Sequence, residues 1–427
     1  MKERILEELQ KFRGGGKAAA KYILAFLKWV LASLAVGGAG GLLGTAFHKG
    51  IDWATAFRQE HAWIIWLLPA AGLVTLLLYR LARVSFETGT NLIIRSVTTN
   101  EHIPILLAPL IAAGTLLSHL FGASVGREGA ALQLGGSIGH NFGELLRFDE
   151  DDVRVLSMCG MAACFSAMFG TPLAAALFVL EVICVGRIYY GAFLPCVLAS
   201  YAAALVSGWL GGEPMQYAIK GGIPPFRPET AARAAALGAL CAAAAILLCA
   251  AFHKMGSWAE KLVKNPYLRI AAGGLLMAVL AEGFGLWDYA GAGAHMIEKA
   301  VNGQAAPWTF LLKLALTALC VGVGFRGGEI VPTLFIGATF GCAVGPLLGL
   351  DPGFAAAVGM TALFCGVVNC PIATLFLAAE MFSTSDLSLF AVAIAVSFVL
   401  SGYFGLYSSQ KFAFSKIKRQ AIDRDTF

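Results

Sequence analysis

Charge is scarce in this chain: Asp, Glu, Lys and Arg make up 13% of its 427 residues. Soluble globular domains carry about a quarter, so a water-soluble globular protein is excluded. The net charge of +5 is modest, and no nucleic-acid partner is expected. Metal-ligand spacing is missing too: the seven histidines (48, 61, 102, 119, 140, 253 and 295) are scattered along the chain, and no metal site is read from them. The ten cysteines include no CxxC pair and fall in or beside apolar segments, which fits reduced packing residues and excludes a disulfide framework. There is no HExxH motif, and the two GxSxG matches, GASVG (122–126) and GGSIG (135–139), lie in a glycine-rich apolar stretch without the strand-to-helix pattern of a nucleophile elbow, so no enzyme is expected. No cofactor is expected.

What the chain has is apolar length. It is 58% hydrophobic, carries fifty glycines and has a mean hydropathy of +0.74. This composition is that of a polytopic, all-α membrane protein. At about 20 residues per crossing, the apolar length allows about ten to fourteen helices. Some runs are shorter, such as 103–120 and 371–381, so some helices should be broken or partial.

The ends read as aqueous. Residues 1–20 place Ile5, Leu6, Leu9 and Phe12 on one helical face with Lys2, Arg4, Lys11 and Arg13 around it, the pattern of an interfacial helix. Residues 411–427 form a basic tail with Lys411, Lys416, Lys418, Arg419 and Arg424. Basic flanks at both ends place both termini in the cytoplasm by the positive-inside rule, with the body in the cell membrane. Segments 22–47 and 62–81 are the first expected spans.

The stretch at 121–143, FGASVGREGAALQLGGSIGHNFG, sets Arg127 and Glu128 between glycines at the head of an apolar helix. A charge at the bilayer centre costs about 2.5–3.5 kcal/mol even on lenient insertion scales, so such a residue marks function by default. Gly122, Gly126 and Gly129 leave the backbone bare where the helix begins. Unpaired amides at the positive end of a helix dipole make such a start an anion site. A structural Arg127–Glu128 salt bridge explains the pair but not its placement between glycines. Upstream, Thr88-Gly89-Thr90-Asn91 runs into Leu92-Ile93-Ile94, a helix start whose plainest reading is an N-cap. The acidic segment 144–156 reads as an aqueous loop capping the next helix.

An internal repeat organises the whole. Residues 161–181 align without gaps on 360–380, matching Met161 with Met360, Ala163 with Ala362, Phe165 with Phe364, Pro172 with Pro371, Ala174 with Ala373 and Glu181 with Glu380. Upstream, GGSIG (135–139) pairs with GATFG (337–341). The seam is the Gly- and Pro-rich segment 211–230. The expected organisation is therefore an interfacial helix (1–20), a first transmembrane repeat (21–210), a linking loop (211–230), a second repeat (231–410) and the tail (411–427). Repeats of this kind place a transporter's site at their interface, built from the starts of broken helices.

Four segments carry a family resemblance: GREGA (126–130), GGEIVP (327–332), LFVLE (177–181) and GLYSSQ (405–410). They look like the signature segments of the CLC anion channel and antiporter family, in order and across nearly the whole transmembrane body. The resemblance implies an inverted-topology repeat of tilted and broken helices, a homodimer embedded in lipid, and an anion pathway in each subunit. Chloride-handling members open their first anion-binding helix with GSGIP, where this chain has Gly89-Thr90-Asn91-Leu92-Ile93. Chloride/proton exchangers place a second glutamate after the Glu181 position, where Val182 stands here. Glu329 occupies a position that is normally apolar. All three departures resemble the fluoride-exporting branch, so the expected partners are fluoride and protons, with a chloride/proton antiporter or a passive anion channel of the same family as alternatives.

Fluoride is small and strongly hydrated, and a site for it must replace its water with real donors. Thr90 and Asn91 supply a hydroxyl and an amide. The resemblance adds the backbone around Gly126, Arg127 and Gly129 and the amides of Ile330 and Val331. Tyr407 aligns with the family's central aromatic, where its phenol donates to the ion, walls the pathway or simply packs. Glu128 is the expected gate and proton carrier. Glu329 either relays the proton or alters the anion's site when charged. Glu181 and Glu380 read as polar helix ends near water or at packing contacts.

Overall fold

The computed structural model describes residues 2–426 apart from 87, 88, 100 and 419, with side chains described from Ala20 onward. The first half contains α1 (Lys2–Glu60), α2 (Leu68–Leu81), α3 (Thr90–Thr99), α4 (Leu107–Leu120), α5 (Glu128–Leu145), α6 (Glu150–Phe169), α7 (Pro172–Val182) and α8 (Phe193–Trp209). The second contains α9 (Pro228–Leu262), α10 (Pro266–Gly283), α11 (Ala294–Val301), α12 (Thr309–Val323), α13 (Ile330–Val344), α14 (Pro352–Val368), α15 (Pro371–Met381) and α16 (Ser388–Leu400).

Six apolar helical stretches among the described residues are long enough to cross a membrane, and six more, including α4, α7, α12 and α15, are shorter. The 11-residue α7 and α15 rise only about 16 Å, roughly half of a 30 Å hydrocarbon core, so they end inside the protein. The first span is longer than the expected 22–47. Its apolar stretch is helical over Ala20–Glu60, because His48, Lys49 and Asp52 are polar without being helix breakers. The amphipathic pattern read at 1–20 lies where side chains are outside those described.

The repeat is visible in backbone detail. α6 ends at Gly170 and α14 at Asn369, both left-handed; Thr171 and Cys370 then turn the chain at φ −122°, ψ 73° and φ −119°, ψ 74°, and Pro172 and Pro371 open α7 and α15. The paired small-residue motifs do one job in each half. A Cβ on Gly135 would lie 2.0 Å from the Gly160 carbonyl oxygen, and one on Gly337 would lie 2.7 Å from that of Gly359. Thus α5 lies against α6, and α13 against α14, at a distance only glycine permits. Asp149 caps α6, its carboxylate accepting from the Asp152 amide at 2.9 Å; the loop expected over 144–156 narrows to 146–149, because α5 runs through Leu145 and α6 begins at Glu150, whose first-turn acids favour a helix start.

The all-α body carries one small sheet. β1 (Cys184–Val185), just after α7, pairs in parallel with β2 (Lys411–Phe414), which pairs antiparallel with β3 (Ala421–Asp425). The basic tail is therefore docked. Lys416 Nζ donates to Asn369 Oδ1 (2.5 Å), Phe398 O (2.7 Å) and Ser401 Oγ (3.1 Å), so a cation sits at the carbonyl end of α16.

Candidate functional site

Three helix starts converge where the halves meet. In α5 the first ladder bond runs from the Ala131 amide to Arg127 O at 3.0 Å, so the amides of Glu128, Gly129 and Ala130 precede the ladder. The Glu128 side chain is fully buried. Its Oε2 accepts from the Arg127 backbone amide at 3.0 Å and its Oε1 from Arg127 Nε at 3.4 Å. Arg127 Nη1 in turn donates to Asp52 Oδ1 at 2.6 Å, and Asp52 sits 2.9 Å from His48 Nε2 one turn earlier on α1. One guanidinium thus holds two carboxylates, one deep in the fold and one partly exposed.

The α13 start meets α5 face to face. Gly126 and Gly328 exchange two backbone hydrogen bonds of 2.6 Å each. A Cβ on Gly129 would come within 2.9 Å of Gly328 Cα, and one on Gly126 within 2.8 Å of Gly328 O, so side chains at either position would separate the two starts. Glu329 is the N-cap of α13, and the first ladder bond there runs from the Thr333 amide to Glu329 O. Pro332 has no amide hydrogen, which leaves Ile330 and Val331 as the donors of this start. Both are fully buried.

The first helix start closes the group. Thr90 Oγ1 and Glu329 Oε2 both approach Gly129, at 3.5 and 3.4 Å from where its Cβ would be. The Thr90 hydroxyl donates to Gly129 O at 3.4 Å and accepts from Gln133 Nε2 at 3.3 Å. Asn91 Oδ1 accepts from the Ser409 amide at 3.0 Å, so the loop bearing Tyr407 is tied to α3. Tyr407 is 2% exposed, its hydroxyl is buried without a hydrogen-bond partner among the described residues, and it lies within electrostatic reach of Glu329 and Glu128. An unpartnered buried phenol carries a desolvation cost that an anion would relieve.

A cavity of about 550 Å³ reaches Arg127 and Val331 from the side of Asp52, Asp288 and His295. Buried cations stand behind it. The Arg58 guanidinium donates to the His119 carbonyl. Lys313, fully buried, donates from Nζ to Gly291 O (2.6 Å), Tyr289 O (3.0 Å) and Ser124 Oγ (3.1 Å). Arg58 and Lys313 flank the same glycine, since a Cβ on Gly291 would lie 3.3 Å from the Arg58 guanidinium. The lining sets Arg58 and Arg127 against Asp52 and Asp288, so cations and carboxylates both face the cavity. The sequence reading passed over Asp52, Arg58, Gln133 and Lys313. A lysine inside an apolar run was the one available signal, for Lys313.

Glu181 and Glu380 stand apart from this group. Glu181 accepts from the amides of Ile372 (3.3 Å) and Ala373 (2.7 Å), at the start of α15. Glu380 accepts from Leu173 (3.0 Å) and Ala174 (2.9 Å), at the start of α7. Each carboxylate thus caps the other half's helix, a packing contact with a specific partner. Among the described residues, the ligand atoms of His102, His140 and Glu144 gather closely enough to hold a metal ion, at the opposite end of α5 from Glu128.

The sequence profile of the voltage-gated chloride channel family matches residues 71–402. A chloride/fluoride channel protein from Pseudomonas syringae pv. tomato is 38% identical over 399 residues, covering 92% of this chain and 88% of that protein. An H(+)/Cl(-) exchange transporter from Yersinia pestis bv. Antiqua is 27% identical over 396 residues, covering 81% and 78%. The crystal structure of a CLC-type fluoride/proton antiporter superposes with a TM-score of 0.87 at 31% identity, covering 91% of this chain and 98% of that one. A slow cyanobacterial Cl-/H+ antiporter superposes at 0.76 with 22% identity over 87% and 94%, a likeness of fold. With the profile running through the starts of α3, α5 and α13, the chain belongs to the CLC family.

Proposed function

We propose that the chain is a fluoride/proton antiporter whose gate and proton carrier is Glu128. The observation that carries the reading is the placement of that carboxylate: fully buried, at the first residue of α5, bonded to a helix-start amide. A carboxylate there competes with an anion for the same donors, and protonation removes its charge and frees them. The anion, reaching Arg127 through the cavity, then enters as the neutral side chain leaves. It is held next by the Thr90 hydroxyl, the Asn91 amide and the Ile330 and Val331 amides, with Tyr407 donating from the opposite wall. Glu329, whose carboxylate approaches the same glycine as Thr90, passes the proton onward.

Fluoride is favoured by the hydroxyl and amide donors of α3 and by the names of the relatives at 38% and 31% identity. Chloride/proton exchange is the second reading, favoured by the 27% identical exchangers. In this reading the protein lies in the cell membrane as a homodimer with both termini cytoplasmic. Candidate subunit contacts lie at residues 190–205 and 400–405, where Tyr190 and Leu205 on and beside α8 are exposed.

Glu128→Gln tests the gate. The amide cannot carry the proton or compete as a carboxylate, so in reconstituted vesicles proton movement with fluoride should fall to the protein-free background. Proton pumping that persists in this variant overturns the assignment.

A further inference from the structure

Two clusters of ionisable groups sit on α5, and only the one at its start enters the transport reading. At the other end, His140 and Glu144 share one face, four residues apart, and His102 reaches them from the segment between α3 and α4. His102 Nδ1 lies 3.0 Å from Glu144 Oε1, and His140 Nε2 lies 3.2 Å from the same oxygen. All three ligand atoms fall within 4.8 Å of one another. Zinc bound tetrahedrally at ~2.0–2.1 Å sets its ligand atoms roughly 3.3 Å apart, so two of the three edges are already close to the required length.

Two contacts compete for the Nε2 atom of His140. The Ile103 amide donates to His140 Nε2 at 3.3 Å, which requires a bare lone pair on that nitrogen. The same nitrogen also faces the Glu144 carboxylate at 3.2 Å, which requires a proton on it. One contact is satisfied only at the expense of the other. A metal ion between the three atoms takes the single Nε2 lone pair in place of the Ile103 amide, so binding requires the 101–106 segment to adjust while both imidazoles and the carboxylate turn toward the ion. The frame is built for this. His140 is buried and fixed on α5, whereas His102 and Glu144 are exposed enough to adjust. Asn141 Nδ2 holds the approaching segment through Ile103 O at 3.3 Å. Two imidazoles and a carboxylate with an open fourth position form a donor set suited to zinc.

We propose that His102, His140 and Glu144 form a zinc site that ties the segment at 101–106 to the C-terminal end of α5. The chain gives no hint of it, because His102 and His140 are far apart in sequence and only the α3–α4 connection brings them together. The site lies at a distance from the gate along the same helix, so its occupancy bears on the connection leaving α3, whose first residues hold Thr90 and Asn91.

The test uses the full-length protein in detergent with any affinity tag removed, titrated calorimetrically with zinc chloride. Wild type should bind a single zinc ion per chain. His102→Ala and Glu144→Gln, both at exposed positions that the fold tolerates, should each lose at least about tenfold in affinity, the lower end of what removing even an outer partner of a metal ligand costs. Hydrogen exchange across 101–106 should slow on adding zinc to wild type and stay unchanged in His102→Ala. No zinc binding, or equal affinity in wild type and both variants, overturns the proposal.

Discussion

Asn91 is held through its carbonyl oxygen, by the Ser409 amide, so its N–H bonds are not spent on that contact. Thr90 accepts from Gln133 and makes only a long bond to Gly129 O, and an anion would improve on that bond. Replacing Asn91 with Leu, or Thr90 with Val, removes a donor that fluoride needs more than chloride does, because its lost hydration is harder to replace. A hydrogen bond to a charged group is worth about 1.5–3 kcal/mol, and each 1.4 kcal/mol is about tenfold. The fluoride-to-chloride efflux ratio should therefore fall about tenfold or more in each variant. An unchanged ratio in both contradicts the assignment of these donors. At this scale Glu128, Glu329, Thr90 and Asn91 were legible because each breaks an apolar helix start. Gln133 and Asp52 were not. Their partners lie 43 and 75 residues away, and no local pattern marks a side chain that becomes important only through a distant contact.

Among the elements, the repeat was the most legible feature and also the most incomplete one. The alignment matched Glu181 with Glu380 and Pro172 with Pro371, yet it could not say that each glutamate would meet the helix opened by the other half's proline. That contact follows from the two-fold relation of the halves, which exists only in space. The shared capping role gives a paired expectation. In Glu181→Gln and Glu380→Gln the amide N–H₂ faces backbone N–H donors and the charge opposing the helix dipole is lost. Each should cost about 1–2 kcal/mol, the usual range for a lost helix cap, read as a lower melting temperature in detergent, with anion selectivity and proton coupling preserved. Loss of coupling in Glu181→Gln with coupling retained in Glu380→Gln would assign Glu181 to the proton route. The length of α1 shows the opposite failing: the span expected at 22–47 ends where the polar His48, Lys49 and Asp52 begin, but a polar residue stops a helix only when the backbone or a cap stops it too.

For the whole molecule, scarce charge and high hydropathy were enough to read a multi-span membrane protein. The tail sheet was not foretold. Its strands are short and β1 meets β2 across more than two hundred residues, while Lys416 reads as a solvated basic flank although it reaches the Phe398 carbonyl. The central claim is that one buried carboxylate couples an anion to a proton across two inverted halves. It is tested most directly in proteoliposomes clamped at zero voltage, loaded with fluoride or with chloride, while external proton concentration is recorded. The account predicts that fluoride leaving down its gradient drives protons inward against theirs, and that chloride does so far more slowly. Fluoride leaving with no proton movement, or chloride moving as fast as fluoride, would contradict it.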